Sequence, residues 1–506
     1  MPMNAAESLL SAGDDARTAL ECGNARVSYR DLRNAVARAA AGWRRLGLET
    51  GDRVLIFAPD SIDWVIAYLG AMWAGGVAVG LNSRLFDKDL GVVLDDSGAR
   101  FIVCDEAGLK TLARLGRAEG SSPRIVTIAE ARAIRDAVPV RSPEQLSDDS
   151  PAFWIYTSGT TGVPKGVMHA QRAVVETANF ASTILGVGSD ARLYATSKLF
   201  FAYALGNALF AGLRLGATVI LDPEWPTAER TARIVERYAP TVMFSVPTLY
   251  SKLLQAGLAP GLSAAGVRHF VSAGEAFPPS LRDSWRQATG VSPVSGFGAS
   301  ETIVLILYCT ADETLLTQSP DCDLRPRDSD DHSVGAPGRI WVRHPSVALG
   351  YWKRPQAQAD SFEAGWFSPG DLFRPASSTS WEFCGRDDDM LKISGQWVSV
   401  IEIEQALVAA CAGTVQQLAA VGYTGADGLG AIALFAVAAP GHEAEARARI
   451  DAGIAALPKI KRPRLVKWLD ELPVTATGKL QRRKLRETHL PAAPAVAPEV
   501  LAKVTS

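Results

Sequence analysis

Short apolar runs alternate with stretches of helical spacing through most of the chain. After Tyr29, Ala35–Leu46 reads as a helix, Arg53-Val54-Leu55-Ile56-Phe57 as a strand, Ile62–Trp73 as a helix and Phe101-Ile102-Val103-Cys104 as a strand. Such alternation predicts βαβ units and largely parallel sheets. It resumes with a strand at Thr218-Val219-Ile220-Leu221, a helix after Thr227, and strands at Thr241-Val242-Met243-Phe244 and His269-Phe270-Val271-Ser272. Ala152-Phe153-Trp154-Ile155-Tyr156 is apolar enough for a buried strand, and Met168 through Phe180 suits a helix. The longest apolar run, Ile66 to Leu81, is broken by Gly70, Gly75, Gly76 and Gly80. It reads as a buried helix followed by a strand, not as a membrane span.

No long polar linker divides the first ~370 residues, which predicts one large α/β body. Composition changes at Arg374-Pro375-Ala376-Ser377-Ser378-Thr379-Ser380, and Gly385-Arg386-Asp387-Asp388-Asp389 follows. The predicted boundary falls between residues 386 and 387. The remaining ~120 residues alternate helix and strand and suit a small α+β domain. The Pro/Ala-rich tail from Leu490 to Pro498 is expected to be mobile.

The bulk numbers narrow the function. A chain of 506 residues exceeds one hydrophobic core, so two or more domains are expected. Fifty-two basic and 54 acidic residues leave a net charge of −2, which argues against nucleic acid and for a small-molecule partner. The six cysteines lie far apart, with no CxxC and no histidine at ligand spacing, so they read as reduced thiols rather than a zinc site. Met1 to Asp15 carries acidic residues and no apolar core of signal-peptide length. A cytoplasmic protein without a membrane partner is expected.

The densest chemistry lies in Tyr156-Thr157-Ser158-Gly159-Thr160-Thr161-Gly162-Val163-Pro164-Lys165-Gly166. Glycines let backbone N–H groups converge on an anion, the hydroxyls add neutral donors, and Lys165 supplies countercharge. It is not a Walker loop, since Pro164 precedes the lysine and Gly166 follows it. Placed after a strand, it is expected at a sheet edge, where ligands of open α/β folds bind. A second cluster, Gly296-Phe297-Gly298-Ala299-Ser300-Glu301, offers an aromatic face for a purine and a carboxylate for Mg²⁺. Gly365-Trp366-Phe367-Ser368-Pro369-Gly370-Asp371 ends in a carboxylate suited to ribose hydroxyls, and Pro473-Val474-Thr475-Ala476-Thr477-Gly478-Lys479-Leu480 presents a lysine on a turn.

In this order and spacing the four motifs resemble the adenylate-forming superfamily of acyl-CoA synthetases, peptide-synthetase adenylation domains and luciferases. The resemblance covers nearly the whole chain. It implies a large N-terminal adenylation body, residues 1–386, made of two βαβ-type subdomains and a small β-barrel-like one. A small mobile α+β domain, residues 387–506, would follow, with its hinge at Asp388. Thr157, Ser158, Gly159, Thr160, Thr161, Gly162 and Lys165 would hold the ATP phosphates, and Glu301 the Mg²⁺. Ala273, Gly274 and Glu275 would line one side of the purine, Phe297 the other, with Gly298 and Ser300 beside it. Asp371 would hold the ribose, Arg386 would contact the nucleotide, Gly395 would border the CoA tunnel, and Lys479 would be the catalytic lysine, acting with Glu301, Thr157 and Lys165.

Within the superfamily, Ser197-Lys198-Leu199-Phe200-Phe201-Ala202-Tyr203-Ala204-Leu205-Gly206-Asn207 resembles benzoate-type aryl-CoA ligases. That implies an acyl pocket lined by Ala202, Tyr203, Gly298, Val304 and Leu305. The chain departs from the pattern at Gly338-Arg339-Ile340-Trp341-Val342-Arg343, at Pro369 in place of a common threonine, and at Ser295, where benzoate relatives often carry aspartate. Val304 stands where benzoate and anthranilate ligases often have a pocket histidine, which suggests a different or bulkier ring substituent, or none needing a hydrogen bond.

The expected reaction uses ATP, Mg²⁺ and coenzyme A on an aryl or cyclic carboxylic acid, in a monomer or homodimer. The alternative is a stand-alone adenylation enzyme that loads a carrier-protein phosphopantetheine. Arg482, Arg483 and Lys484 are candidates for the CoA 3′-phosphate, although such a run is more often a solvated face. A luciferase-like oxygenase is a further class, and the failed Walker match disfavours a kinase.

Overall fold

The computed structural model describes residues 2–117, 122–139, 141–158, 164–275, 277–310, 315–327, 337–386, 390–393, 396–411, 413–425, 429–474 and 480–490. The chain divides into two compact units. One comprises Met1–Ser329, Ile340–Pro369 and Pro375–Glu382, and the other Asp330–Arg339, Gly370–Arg374 and Phe383–Ser506.

The first unit holds two large mixed sheets. In one, Pro151–Ser158, Val77–Gly80, Arg53–Phe57, Phe101–Cys104 and Arg124–Thr127 run parallel in that order, and Pro164–Ala170 then Gly350–Tyr351 add antiparallel at the Pro151 end. In the other, Val294–Phe297, His269–Ser272, Val242–Ser245, Arg192–Ala195, Thr218–Leu221 and Thr18–Cys22 form the parallel centre. Leu307–Cys309 and Leu316–Gln318 extend it antiparallel beyond Val294–Phe297, and Ala25–Ser28 closes the opposite side. The central strands are buried end to end, which is why they read as continuous apolar runs rather than alternating ones.

Several helices follow directly from local chemistry. Ser61 accepts the Trp64 N–H at 3.1 Å and starts Ile62–Trp73, whose residues from Trp64 to Trp73 are all buried. The helix expected from Ala35 begins instead at Tyr29, because Ser28 caps it by accepting the Asp31 N–H at 3.1 Å. Its first turn is largely polar, so the apolar stripe becomes visible only from Leu32 onward. No helix among the described residues is long and apolar enough to cross a membrane.

One expected helix is absent. Met168–Phe180 is divided: residues up to Ala170 belong to the strand Pro164–Ala170, Gln171–Val174 forms one 3₁₀ turn, and a π-helical turn begins at Phe180. Pairing with the preceding strand decides this, with Lys165 opposite Thr157, Gly166 opposite Tyr156 and Val167 opposite Ile155. The hydroxyl-rich stretch is therefore flanked on both sides by paired antiparallel strands, with no helix directly after it. The turn-rich stretch after Arg374 is a bend between the strands Asp371–Pro375 and Ser380–Arg386, with the Ala376 N–H donating to the Ser380 carbonyl at 2.9 Å.

The second unit contains a sheet of Val415–Thr424, Gly430–Ala438 and Leu465–Trp468. Ile403, Leu407, Ile432, Leu434 and Ile450 pack on one face of it, and Val421, Phe435, Leu472 and Leu485 on the other. Within this unit Arg482 pairs with Glu404 at 2.7 Å and Arg483 with Glu487 at 2.6 Å, so both side chains already have carboxylate partners.

Candidate functional site

The hairpin Pro151–Ser158/Pro164–Ala170 places Thr157 and Lys165 on directly opposed positions. Gly159, Thr160, Thr161 and Gly162 lie outside the described residues, as does the side chain of Ser158. The Lys165 ammonium stands 3.8 Å from Oε1 of Glu301, a residue that is 8% exposed. Between them sits Tyr351, which the sequence motifs did not single out. Its hydroxyl donates to Glu301 Oε1 at 2.6 Å, and its ring carries Lys165 Nζ 3.7 Å from the centroid. Burial, together with the Glu301 carboxylate, holds the Tyr351 phenol well above its usual range, so it remains a donor. Among the described residues nothing donates to Glu301 Oε2. A buried carboxylate with one oxygen open to a cation has the donor chemistry that Mg²⁺ requires.

Two further contacts seat these groups. His169, fully buried in the second hairpin strand and stacked on Phe153 at 4.7 Å, lies 2.8 Å through Nε2 from the Ser300 carbonyl and 3.3 Å through Nδ1 from the Ser346 carbonyl. It thereby fixes the backbone immediately before Glu301, whose own carbonyl accepts the Ala348 N–H at 2.8 Å. Asp96 grips the hairpin from outside. It accepts the Tyr156 hydroxyl at 2.8 Å, pairs with Arg354 at 3.0 Å, and through its carbonyl takes the Trp352 indole N–H at 2.9 Å. The Trp352 backbone N–H donates to the Gly166 carbonyl at 2.9 Å. The run Gly350-Tyr351-Trp352-Lys353-Arg354 is thus a hub; two adjacent aromatics after a glycine were its only sequence signal.

The segment after Phe297 is tightly folded. Thr302 Oγ1 accepts the Ala299 N–H at 3.0 Å and lies 3.1 Å from the carbonyls of Ala299 and Val304. Ile303 takes a left-handed backbone, φ 58°, unusual for a β-branched residue. Its carbonyl comes so close to the neighbouring helix that a Cβ on Gly206 would lie 2.1 Å from it, and one on Gly298 would lie 2.5 Å from the Val304 carbonyl. Glycine is the residue these two approaches admit.

The structure gathers Tyr203, Ala273 and Leu305 into one cluster with Phe244 and Val271, and Tyr203 donates its hydroxyl to the Val271 carbonyl at 2.9 Å. Val304 is buried, and Ala202 opens the short helix Ala202–Ala204. Gly274 has φ 88°, and Glu275 accepts the Thr248 hydroxyl at 3.0 Å. Phe297 ends its strand beside Gly298. Asp371 begins the strand Asp371–Pro375 and belongs to the second unit. Asp388, Gly395 and Lys479 lie outside the described residues, as does the side chain of Arg386.

The signature of a family described as AMP-binding enzyme matches residues 11–352, a span that contains Thr157, Lys165, Glu301 and Tyr351. The chain belongs to the AMP-binding enzyme family. It is 38% identical to a 3-hydroxybenzoate–CoA ligase of Aromatoleum sp. (strain CIB), over 96% of this chain and 97% of that protein. It is 36% identical, over 96% of this chain and 97% of the relative, to a 3-hydroxybenzoate–CoA/4-hydroxybenzoate–CoA ligase of Thauera aromatica. A crystal structure of an anthranilate CoA ligase in complex with anthranoyl-AMP superposes with a TM-score of 0.88 at 27% identity, covering 97% of this chain and 98% of that one.

As an AMP-binding enzyme the protein is expected to lose ATP affinity when Tyr351 loses its hydroxyl. Tyr351→Phe removes one charge-assisted hydrogen bond, and calorimetry should show a roughly tenfold weaker ATP. Tyr351→Leu, which also removes the ring from Lys165, should weaken it further; unchanged affinity in both would contradict the arrangement.

A second expectation concerns acid. Burial lowers His169 and His344 to about 4, so both stay neutral when folded while an unfolded chain protonates them below about 6.5. Their stabilisation is complete above that pH and is lost as the pH falls toward 4. Urea unfolding at pH 7 and pH 5 should differ by ~2 kcal/mol per histidine; equal stability would contradict the burial.

Proposed function

We propose that the protein is an AMP-forming aryl-acid:CoA ligase. It joins a benzoate-like carboxylate to ATP as acyl-AMP with release of pyrophosphate, then passes the acyl group to the CoA thiol with release of AMP. The observation that carries this reading is the meeting of Lys165, Glu301 and Tyr351 at the root of a hydroxyl-rich hairpin, in a chain similar from end to end to hydroxybenzoate–CoA ligases.

The chemistry explains the residue types. A carboxylate resists nucleophiles because of its charge and resonance, so it must first acquire a leaving group. Its oxygen attacks the α-phosphorus in line, and two anions must approach, so catalysis rests on positioning and charge neutralisation. Lys165 and the donors from Thr157 to Gly162 receive the departing pyrophosphate. Mg²⁺ would be held by Glu301 and would add positive charge at the phosphates. Lys479 supplies an ammonium that bridges the attacking carboxylate and the nucleotide. Ala273, Gly274 and Glu275 face Phe297 across the purine, Gly298 and Ser300 border it, Asp371 holds the ribose and Arg386 contacts the nucleotide.

The ring of the acid lies among Ala202, Tyr203, Gly298, Val304 and Leu305. Because the Tyr203 hydroxyl already bonds the Val271 carbonyl and Val304 is apolar and buried, this wall favours an uncharged aryl ring, such as benzoate or a hydroxybenzoate. For the second half-reaction, residues 387–506 turn about Asp388, withdraw Lys479 and bring Gly395 to the thiol tunnel. On this reading the two mixed sheets would be the two βαβ-type subdomains of a 1–386 body. A reaction fed by ATP and CoA fits a cytoplasmic enzyme.

Purified protein incubated with ATP, Mg²⁺, CoA and a panel of aryl, heteroaryl and alicyclic acids should yield AMP and an aryl-CoA, identified by mass spectrometry. AMP without acyl-CoA would point instead to a carrier-protein acceptor, and no acid-dependent AMP would refute the reading. Lys479→Ala should lower adenylation by ~10²- to 10³-fold, like removal of one transition-state donor, while still converting supplied acyl-AMP to thioester; equal loss in both steps would contradict the domain alternation.

A further inference from the structure

A buried set of charges that the proposed chemistry does not use lies where the two sheets of the first unit meet. Asp60 follows the first-sheet strand Arg53–Phe57 and immediately precedes Ser61, the cap of the helix Ile62–Trp73. Lys198 and Leu199 follow the second-sheet strand Arg192–Ala195. Both oxygens of Asp60, a residue only 5% exposed, accept the Leu199 N–H, at 3.2 and 3.1 Å. Lys198, equally buried, donates to the carbonyls of Asp222, at 2.7 Å, and Glu224. Arg230 pairs with the carboxylates of Asp222 and Glu224. Close approach at the joint is visible at Gly80, where a Cβ would lie 3.4 Å from Phe200 Cα. The turn from Leu199 to Tyr203 is therefore fastened at its start by Asp60 and at its end by the Tyr203 hydroxyl on the Val271 carbonyl.

We propose that Asp60 is a positioning residue for the aryl-acid pocket: its carboxylate fixes the Leu199 N–H, and through it the turn that presents Ala202 and Tyr203 to the ring. The inference rests on the assignment of those two residues to the pocket. Asp60 acts from the far sheet and touches no reacting atom, so its effect falls on the fit of the acid rather than on the nucleotide.

The link is sensitive to pH. Burial raises the Asp60 carboxyl to about 7, opposed by Lys198 and the Leu199 N–H and reinforced by Asp222. The other groups facing this set are Arg230 from the helix Ala228–Tyr238, Cys22 at the end of Thr18–Cys22, and Tyr194 within Arg192–Ala195. Burial raises Cys22 and Tyr194 and lowers Lys198. An ionised Asp60 makes a charge-assisted bond to Leu199, and a protonated one a bond about half as strong, so the turn loosens as the pH falls through 7.

The test is pyrophosphate exchange driven by an aryl acid between pH 6 and 8.5, in the wild type and Asp60→Asn. This half-reaction omits CoA and its thiol, and His169 and His344, at about 4, lie outside the window. The wild-type KM for the acid should be several-fold higher at pH 6 than at pH 8, with the KM for ATP unmoved. Asp60→Asn keeps an acceptor but cannot ionise, so its acid KM should be several-fold raised at pH 8 and flat with pH. Hydrogen exchange of the peptide containing Leu199 needs no turnover and should be faster in the variant at pH 8, with the hairpin from Pro151 to Ala170 unchanged. Wild-type acid KM and wild-type exchange at Leu199 in the variant, or equal rises in both KM values, would overturn the role of Asp60. If no aryl acid drives exchange in the wild type, the ligase reading fails, and protection at Leu199 still decides whether Asp60 holds the turn.

Discussion

The site depends on a carboxylate and an ammonium held 3.8 Å apart around one phenol. Glu301 is nearly buried, and an unpartnered charge there would be costly; Tyr351 supplies its hydrogen bond and gives the Lys165 ammonium an aromatic face. Much of the surrounding structure serves this arrangement. His169 holds the backbone before Glu301, the Thr302 hydroxyl closes the turn after it, and Asp96 with Trp352 and Arg354 holds the hairpin that carries Lys165. A loosely held pair would have to reorganise on meeting a ligand, whereas groups already fixed act without that cost.

The two sheets divide the labour. The hairpin on the first sheet presents Thr157 and Lys165, while the carboxyl ends of the second-sheet strands lead to Ala273, Phe297 and the turn before Tyr203. Ligands of open α/β sheets gather at such strand ends. Thr157 and Lys165 thus stand on one sheet and the apolar cluster around Tyr203 on the other, while Glu301 follows the second-sheet strand Val294–Phe297.

How much was legible in the sequence depended on the range of the interaction. The strands Arg53–Phe57, Phe101–Cys104, Thr218–Leu221 and His269–Ser272 and the helix Ile62–Trp73 coincide with their apolar runs, because buried parallel strands and fully buried helices need no polar face. The stretch after Met168 reads as helix because a short apolar run has no decisive period, and only pairing with Pro151–Ser158 selects the strand. Glu301 and Lys165 stood out through their motifs. Tyr351 and Asp96 did not, since their partners Glu301 and Tyr156 lie 50 and 60 residues away in sequence. Asp60 was hidden for the same reason: its importance comes from Leu199, 139 residues on.

On the proposed reaction the acid is activated at the α-phosphorus of ATP. The most direct measurement is to supply a benzoate or hydroxybenzoate labelled with ¹⁸O in its carboxylate, together with ATP, Mg²⁺ and CoA, and to weigh the nucleotide product. Attack by the carboxylate oxygen on the α-phosphorus, followed by cleavage of the carbonyl–oxygen bond by the thiol, leaves one ¹⁸O in AMP. Label in inorganic phosphate with formation of ADP, or aryl-CoA formed with unlabelled AMP, would contradict the account.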